Sequence, residues 1–239
     1  MIISVVNNKG GVGKTTTVVH LAHALSRMGK RVLLVDLDGQ ANSLAHLFDE
    51  ETVSTMRQRQ NGHAQPTTHH EGSGVAILPL SFWKASEADY TRAITDTAKD
   101  FDITLIDCPP SLETRTEAAL TASEYVLIPT EPEKLSIDGI DNLLAILPRF
   151  NVQILGIIIT RFNKKKTAHA VWQQSLVKSY SRDIIRHYVT DSSVFPSAST
   201  NSQTAFQWTG KRKNTALEAY NAIAKTMLQR AGKAEVTNV

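Results

Sequence analysis

Residues 8–17 read Asn8-Lys9-Gly10-Gly11-Val12-Gly13-Lys14-Thr15-Thr16-Thr17, directly after the apolar run Ile2–Val6 and directly before a helical pattern over Thr15–Arg27. This is the Gly-x-x-x-x-Gly-Lys-[Ser/Thr] phosphate loop in a variant form. Gly10, Gly11 and Gly13 let the backbone curl closely around an anion, where a Cβ would obstruct the turn or the approach. The loop N–H groups, with Val12 among them, then face a β-phosphate, and the dipole of the following helix adds to the attraction. Lys14 is placed for the β- and γ-phosphates, the Thr15 hydroxyl for Mg²⁺, and Thr16 for the α-phosphate. The lysine, the hydroxyl and both flanking elements together point to a nucleoside triphosphate with Mg²⁺.

Working outward, short apolar runs recur at Val32–Val35, Ala76–Leu78, Ile103–Ile106, Tyr125–Ile128 and Ile154–Ile159. Most are continuously apolar rather than alternating, as parallel strands covered on both faces require. Helical patterns lie between them. Val18, Leu21, Ala22 and Leu25 share one face of Thr15–Arg27, which Gly29 stops. Ser86–Ala98, Arg115–Ala122, Ile137–Leu147 and Thr167–Ser179 read similarly, and Asn214–Ala231 is a last amphipathic helix packed back on the body. The alternation predicts an α/β fold: a doubly wound, mostly parallel sheet with helices on both faces, of P-loop NTPase type, with ligands at the strands' C-terminal ends. Thr55–Gly74 and Asp191–Thr209 are rich in small polar residues and read as irregular, the former as an exposed loop. No repeat or linker interrupts 1–239, which reads as a single domain.

Bulk properties narrow the setting. The chain has 239 residues and one cysteine, Cys108, which excludes an intramolecular disulfide framework and any metal site built on several thiolates. Cys108 itself reads as a buried, inert thiol. No apolar window is long enough to span a bilayer, and the first residues read as a core strand rather than a signal peptide. A cytoplasmic location is expected. Net charge is only +3, yet residues 151–239 carry thirteen Lys/Arg against four Asp/Glu, a sum of +9 that leaves −6 for the first 150 residues. A basic C-terminal third on an acidic body points to a polyanion-facing surface.

The extra lysine that opens the loop, Lys9, makes Lys9-Gly10-Gly11-Val12-Gly13-Lys14-Thr15-Thr16 resemble the deviant Walker A motif of the ParA/MinD ATPases. The resemblance continues in order along nearly the whole chain. Val35-Asp36-Leu37-Asp38-Gly39-Gln40-Ala41-Asn42 is similar to the family's switch I segment, with Gly39 where proline is common. Leu105-Ile106-Asp107-Cys108-Pro109-Pro110 resembles its Walker B and switch II segment, and Ile128-Pro129-Thr130-Glu131-Pro132 the strand end that follows. The resemblance implies Asp38 as the residue that orients the attacking water, Asp107 and Asp36 beside Thr15 around Mg²⁺, and Lys9 as a lysine reaching across a nucleotide-sandwich homodimer like an arginine finger supplied in trans. It also puts Arg161 and Asn163, in Thr160-Arg161-Phe162-Asn163, near the adenine. A second adenine segment would align with Val189–Ala198, where Thr190 replaces the usual proline and Asp191 the usual basic residue.

Within that family the remaining residues choose among activities. The end, Gln229 to Val239, offers almost no apolar face, against a membrane-binding amphipathic helix. Cluster carriers need paired cysteines. A kinase or ligase acting as a monomer has no use for a lysine in trans. What remains is the basic third. Arg161, Lys164-Lys165-Lys166, Lys178, Arg182, Arg186 and Lys211-Arg212-Lys213 have few counter-ions nearby in sequence, which suits salt-sensitive, non-specific binding of double-stranded DNA. Lys211, Arg212, Lys213 and Arg186 are the expected contacts. The expected protein is a slow, Mg-ATP-dependent ParA-type ATPase, dimeric with ATP, nucleoid-associated, and released from DNA when a cognate adaptor stimulates hydrolysis during partition or positioning of a cargo such as a plasmid or chromosome. The alternative is a MinD-like ATPase that positions at a membrane or cell pole without a DNA role.

Overall fold

Strands whose side chains are apolar on both faces need a helical layer on each side, and that is how this chain is built. The computed structural model describes residues 1–59, 67–209 and 214–237. Among these the strands are β1 (Ile2–Val5), β2 (Val32–Asp36), β3 (Thr68–His70), β4 (Val75–Pro79), β5 (Ile103–Asp107), β6 (Tyr125–Thr130), β7 (Gln153–Ile159) and β8 (Ile184–Ile185). They form one sheet in the order β3-β4-β2-β5-β1-β6-β7-β8. All neighbours are parallel except β3 and β4.

The helices are α1 (Lys14–Ser26), α2 (Asn42–Leu47), α3 (Glu50–Arg59), α4 (Glu87–Ala98), α5 (Thr114–Ala122), α6 (Leu135–Ile146), α7 (Thr167–Ser179), α8 (Val194–Thr200), α9 (Ala205–Thr209) and α10 (Thr215–Thr237). Alternate strand residues go to opposite layers. Ile3, Val5, Leu34 and Leu105 pack with α1, α2 and α8–α10 through Leu21, Leu44, Phe195, Phe206 and Tyr220. Ile2, Leu33, Val35 and Ile106 pack with α4–α7 through Tyr90, Ile94, Ala118, Ile140 and Leu176. This double coverage explains the continuous apolar runs.

β1 leaves through α1 towards β2, whereas β5, its neighbour, leaves through α5 towards β6. The two connections diverge and open a crevice at the carboxyl ends of β1 and β5, the position at which open α/β sheets take ligands.

Two expectations of irregular structure are corrected. Thr55–Gly74 is entered by α3, and its end forms a hairpin: Thr68 pairs with Ile77 and His70 with Val75, around a turn in which Gly74 has φ +65°. Strand β3 is three polar residues long, too short to show a period. Residues 60–66 of that stretch lie outside the described residues. Asp191–Thr209 holds α8 and α9, which bury Phe195, Ala198, Ala205 and Phe206 while the Ser/Thr/Asn residues cap, turn or face out. Two helix starts carry side-chain caps: the Ser86 hydroxyl accepts from Asp89 N at 3.2 Å, and Asn214 Oδ1 from Ala216 N at 2.9 Å.

Candidate active site

The loop between β1 and α1 is shaped before any ligand arrives. Gly11 and Gly13 adopt φ +77° and +83°, a backbone region that side chains disfavour. Gly13 is the N-cap of α1 and offers no side-chain acceptor to the first turn. The first-turn N–H groups of α1 are thus available to an anion. The loop is braced from behind. Asn7 Nδ2 donates to Pro129 O at 2.8 Å, Asn7 Oδ1 accepts from Lys9 N at 2.9 Å, and the Thr160 hydroxyl donates to Val12 O at 2.7 Å. Lys14 is buried and spans the loop, donating to Asn7 O at 3.1 Å and Lys9 O at 3.2 Å. Burial lowers its pKa, opposed chiefly by the negative charge of Asp107.

Asp36 and Asp107 are register partners at the ends of β2 and β5, both fully buried. Leu44 N donates to Asp36 Oδ2 at 3.1 Å and Ser43 Oγ to Asp107 Oδ2 at 2.6 Å. Oδ1 of each acid lacks a well-formed hydrogen bond, although the Thr15 hydroxyl lies near enough to Asp107 to lower its pKa. Burial, and then the Asp107 charge, push Asp36 well above the usual carboxylate range, and burial pushes Asp107 up to about 6. Two buried carboxylates with unsatisfied oxygens beside a threonine hydroxyl are a hard-oxygen donor set that suits Mg²⁺. Cys108, between β5 and the next turn, is fully buried with its thiol pushed up to about 12, chiefly by burial, and therefore stays protonated.

Asp38 is nearly buried just past β2. Its Oδ1 accepts from Gln40 N at 3.0 Å, and its Oδ2 lies 3.5 Å from Asn42 Nδ2. These bonds fix a carboxylate at the crevice. The main chain beside it is held by Arg115, which no sequence motif marked. Arg115 Nη1 donates to Leu37 O and Nη2 to Trp83 O, both at 3.0 Å, and its guanidinium lies 5.7 Å from the Tyr90 ring centre. A Cβ on Gly39 would stand 3.1 Å from Nη1. Glycine in place of the more usual proline leaves room for this contact. Arg115→Ala is expected to destabilise the protein by about 1–3 kcal/mol in chemical denaturation, because buried carbonyls lose charged donors. A loss below about 0.5 kcal/mol, the size of an ordinary surface change, would show that water replaces the guanidinium freely.

Lys9 pairs within its own chain. Its Nζ is 2.5 Å from Glu133 Oε2 and 3.8 Å from Glu131 Oε2. Glu131 also accepts from Arg161 at 2.8 Å, and Arg161 donates to Gly11 O at 3.1 Å. These contacts hold Arg161 at φ +51° beside the loop. Arg161 lines a cleft of about 520 Å³ with Gly11, Gly13, Thr16, Thr160, Thr190, Asp191, Phe195, Pro196 and Tyr220. Both suspected base-recognition segments meet here, joined by a bridge between Phe162 and Thr190. Asn163, expected with Arg161, is not in the cleft: its Oδ1 turns back to accept from Lys165 N at 3.0 Å. Gly10 has open space where a Cβ would stand. Arg186 lies apart, on a concavity shared with Lys164, His187 and Glu218. The expected contacts Lys211, Arg212 and Lys213 lie outside the described residues. Ser43, Arg115, Glu131, Glu133, Thr160 and Tyr220 reach the site only through tertiary contacts.

This geometry agrees with what the chain resembles among known proteins. The model of the CobQ/CobB/MinD/ParA nucleotide binding domain matches residues 3–204. The chromosome-partitioning ATPase Soj of Thermus thermophilus is 36% identical over 173 residues, covering 67% of this chain and 69% of that protein. The sporulation initiation inhibitor protein Soj of Bacillus subtilis is 32% identical over 207 residues, covering 76% and 80%. Among solved structures, cobyrinic acid a,c-diamide synthase of Mycobacterium smegmatis with a bound ATP analogue and magnesium superposes with a TM-score of 0.77 at 25% identity, covering 98% of this chain and 96% of that one. The chain therefore belongs to the CobQ/CobB/MinD/ParA nucleotide-binding family, as a partition or positioning ATPase of the ParA type.

Proposed function

We propose that residues 1–239 act as one ATPase domain that binds ATP with Mg²⁺, dimerises around the nucleotide, and in that state binds double-stranded DNA without sequence preference to position a cargo. The carrying observation is the coincidence, at one crevice, of the pre-shaped loop, two buried acids with unsatisfied oxygens and the fixed Asp38. The nucleoside occupies the cleft beside Arg161, and the phosphates lie on the loop N–H groups and Lys14. Thr15, Asp36 and Asp107 hold Mg²⁺, which when bound neutralises phosphate charge. Asp38 orients water for attack on the γ-phosphorus; the bond to the bridging oxygen breaks, giving ADP and phosphate. Lys9 leaves Glu133 and reaches the partner's nucleotide, stabilising charge there.

DNA binding rests on the excess of +9 over residues 151–239, doubled in a dimer. Among the described residues no helix is long and apolar enough to cross a membrane. A cytoplasmic, nucleoid-associated protein whose hydrolysis an adaptor stimulates is the accompanying reading. The test is retention on non-specific duplex DNA with ATP, ADP or no nucleotide at two salt concentrations. Retention is expected only with ATP, with a steep loss in salt, and with the salt slope reduced by about one for Arg186→Ala. Lys211/Arg212/Lys213→Ala is expected to abolish it. Equal retention in all nucleotide states, or none, would remove the DNA role; binding to anionic vesicles instead would favour the membrane alternative.

A further inference from the structure

Four consecutive residues, three of the α8–α9 connection and the first of α9, are each met by a different buried histidine. His70 Nε2, from β3, lies 3.4 Å from Ser202 O. His46, from α2, faces the Gln203 main chain, while its Nε2 has no hydrogen-bond partner. His23 Nδ1, from α1, is 2.5 Å from the Thr204 hydroxyl. Ala205 N, the first amide of α9, donates to His20 Nε2 at 3.0 Å. His20, also on α1, is fully buried, and the other three nearly so. The hairpin turn that carries His70 is pressed onto α9, since a Cβ on Gly72 would collide with the Gln207 side chain.

The His20 contacts decide a protonation state. A backbone amide is always a donor, so Nε2 must offer a lone pair to Ala205 N. Nδ1 then carries the hydrogen and donates to Thr16 O at 2.7 Å. His20 is held as one neutral tautomer, between a residue of the nucleotide cleft and the start of α9. Its ring also stacks on Tyr220 (5.5 Å between centres, 20° between planes) and meets Phe195 edge-on. Thr16, Phe195 and Tyr220 all line the cleft.

We propose that His20, His23, His46 and His70 form a clasp that positions the α8–α9 wall of the nucleotide cleft only while they are neutral, so that acidification releases this wall. The proposal rests on the reading of that cleft as the nucleoside site. Among the described residues, and besides one another, the titratable or charged groups facing the histidines are Arg27 at the C-cap of α1, whose guanidinium lies over the Phe206 ring, and Tyr220 on α10. Arg27 and the neighbouring histidines oppose protonation, and burial keeps the Tyr220 phenol protonated. Burial is the main cause that lowers His20 to about 3 and His23 and His46 to about 4, and it also lowers His70. Once opened, each histidine regains an ordinary value near 6.5. The clasped form is therefore fully favoured above about pH 6.5, and loses ground as pH falls from there towards 4, because only the open form takes up protons in that interval.

The test is hydrogen exchange of residues 201–209 in the full chain without nucleotide, at pH 7.5 and 5.5, corrected for the intrinsic pH dependence of exchange. Protection there is expected to fall at least tenfold relative to β1 and β5, and by about tenfold less in His20→Gln, whose Oε1 accepts from Ala205 N without titrating. At pH 7.5, His20→Leu is expected to weaken ATP binding by about tenfold, because it leaves that buried amide unpaired, whereas His20→Gln stays within about twofold. Protection that does not change with pH, or equal ATP affinity in His20→Leu and wild type, would overturn the clasp. Failure of the wild-type chain to bind ATP at pH 7.5 would instead overturn the assignment of the cleft.

Discussion

Lys9→Ala is expected to lower ATP turnover by about 10³-fold or more while leaving ATP affinity within a few-fold, the signature of a charge supplied to the transition state by the partner chain. Lys14 already spans the loop through the carbonyls of Asn7 and Lys9, so the phosphate grip within one chain has its lysine. Lys9 is tied to Glu133 and Glu131 instead. Those pairs are partly exposed, and exposed pairs contribute only about 0–1 kcal/mol, a barrier that the proposed dimer formation can overcome. Single-turnover hydrolysis and nucleotide titration, run side by side, read the two quantities separately. An equal loss in affinity and turnover would return Lys9 to an ordinary phosphate contact within its own chain.

Asp38→Ala is expected to lower turnover by about 10²–10⁴-fold with ATP binding retained, if Asp38 orients the attacking water as proposed, because the phosphate loop is left intact. It also makes the Lys9 prediction sharper. A mixed dimer of Lys9→Ala and Asp38→Ala subunits has one site with Asp38 in its own chain and Lys9 from the partner. Mixing the two impaired proteins is then expected to restore about a quarter of wild-type activity, since half of the dimers are mixed and each has one working site. A lysine acting within its own chain would give no recovery. Turnover near wild type in Asp38→Ala would move the water-orienting role elsewhere, and the acids Asp36 and Asp107 would be examined next.

The phosphate loop was legible because its chemistry is local. Gly11, Gly13, Lys14 and Thr15 act through backbone dihedrals and through the two elements that flank them in sequence. The parallel sheet was legible because burial on both faces leaves unbroken apolar runs. Asp36 and Asp107 could be named one at a time at strand ends, but their adjacency follows from β2 lying against β5, a long-range pairing that no local pattern encodes. Lys9 was marked by the extra lysine, whereas its present partners, Glu131 and Glu133, are more than 120 residues away.

The sequence by itself determined the fold class, the position of the phosphate loop and the identity of the charged groups around it, because periodicity, glycine conformation and charge are properties of neighbouring residues. Tertiary structure decided what those groups touch. It turned Asn163 away from the cleft, brought Arg115 against the glycine that stands in place of a proline, and converted four histidines from three elements into one buried clasp. The physical reason is the same in each case: hydrogen bonds and desolvation depend on which distant segments exclude water together, and packing sets that only once the sheet order is in place.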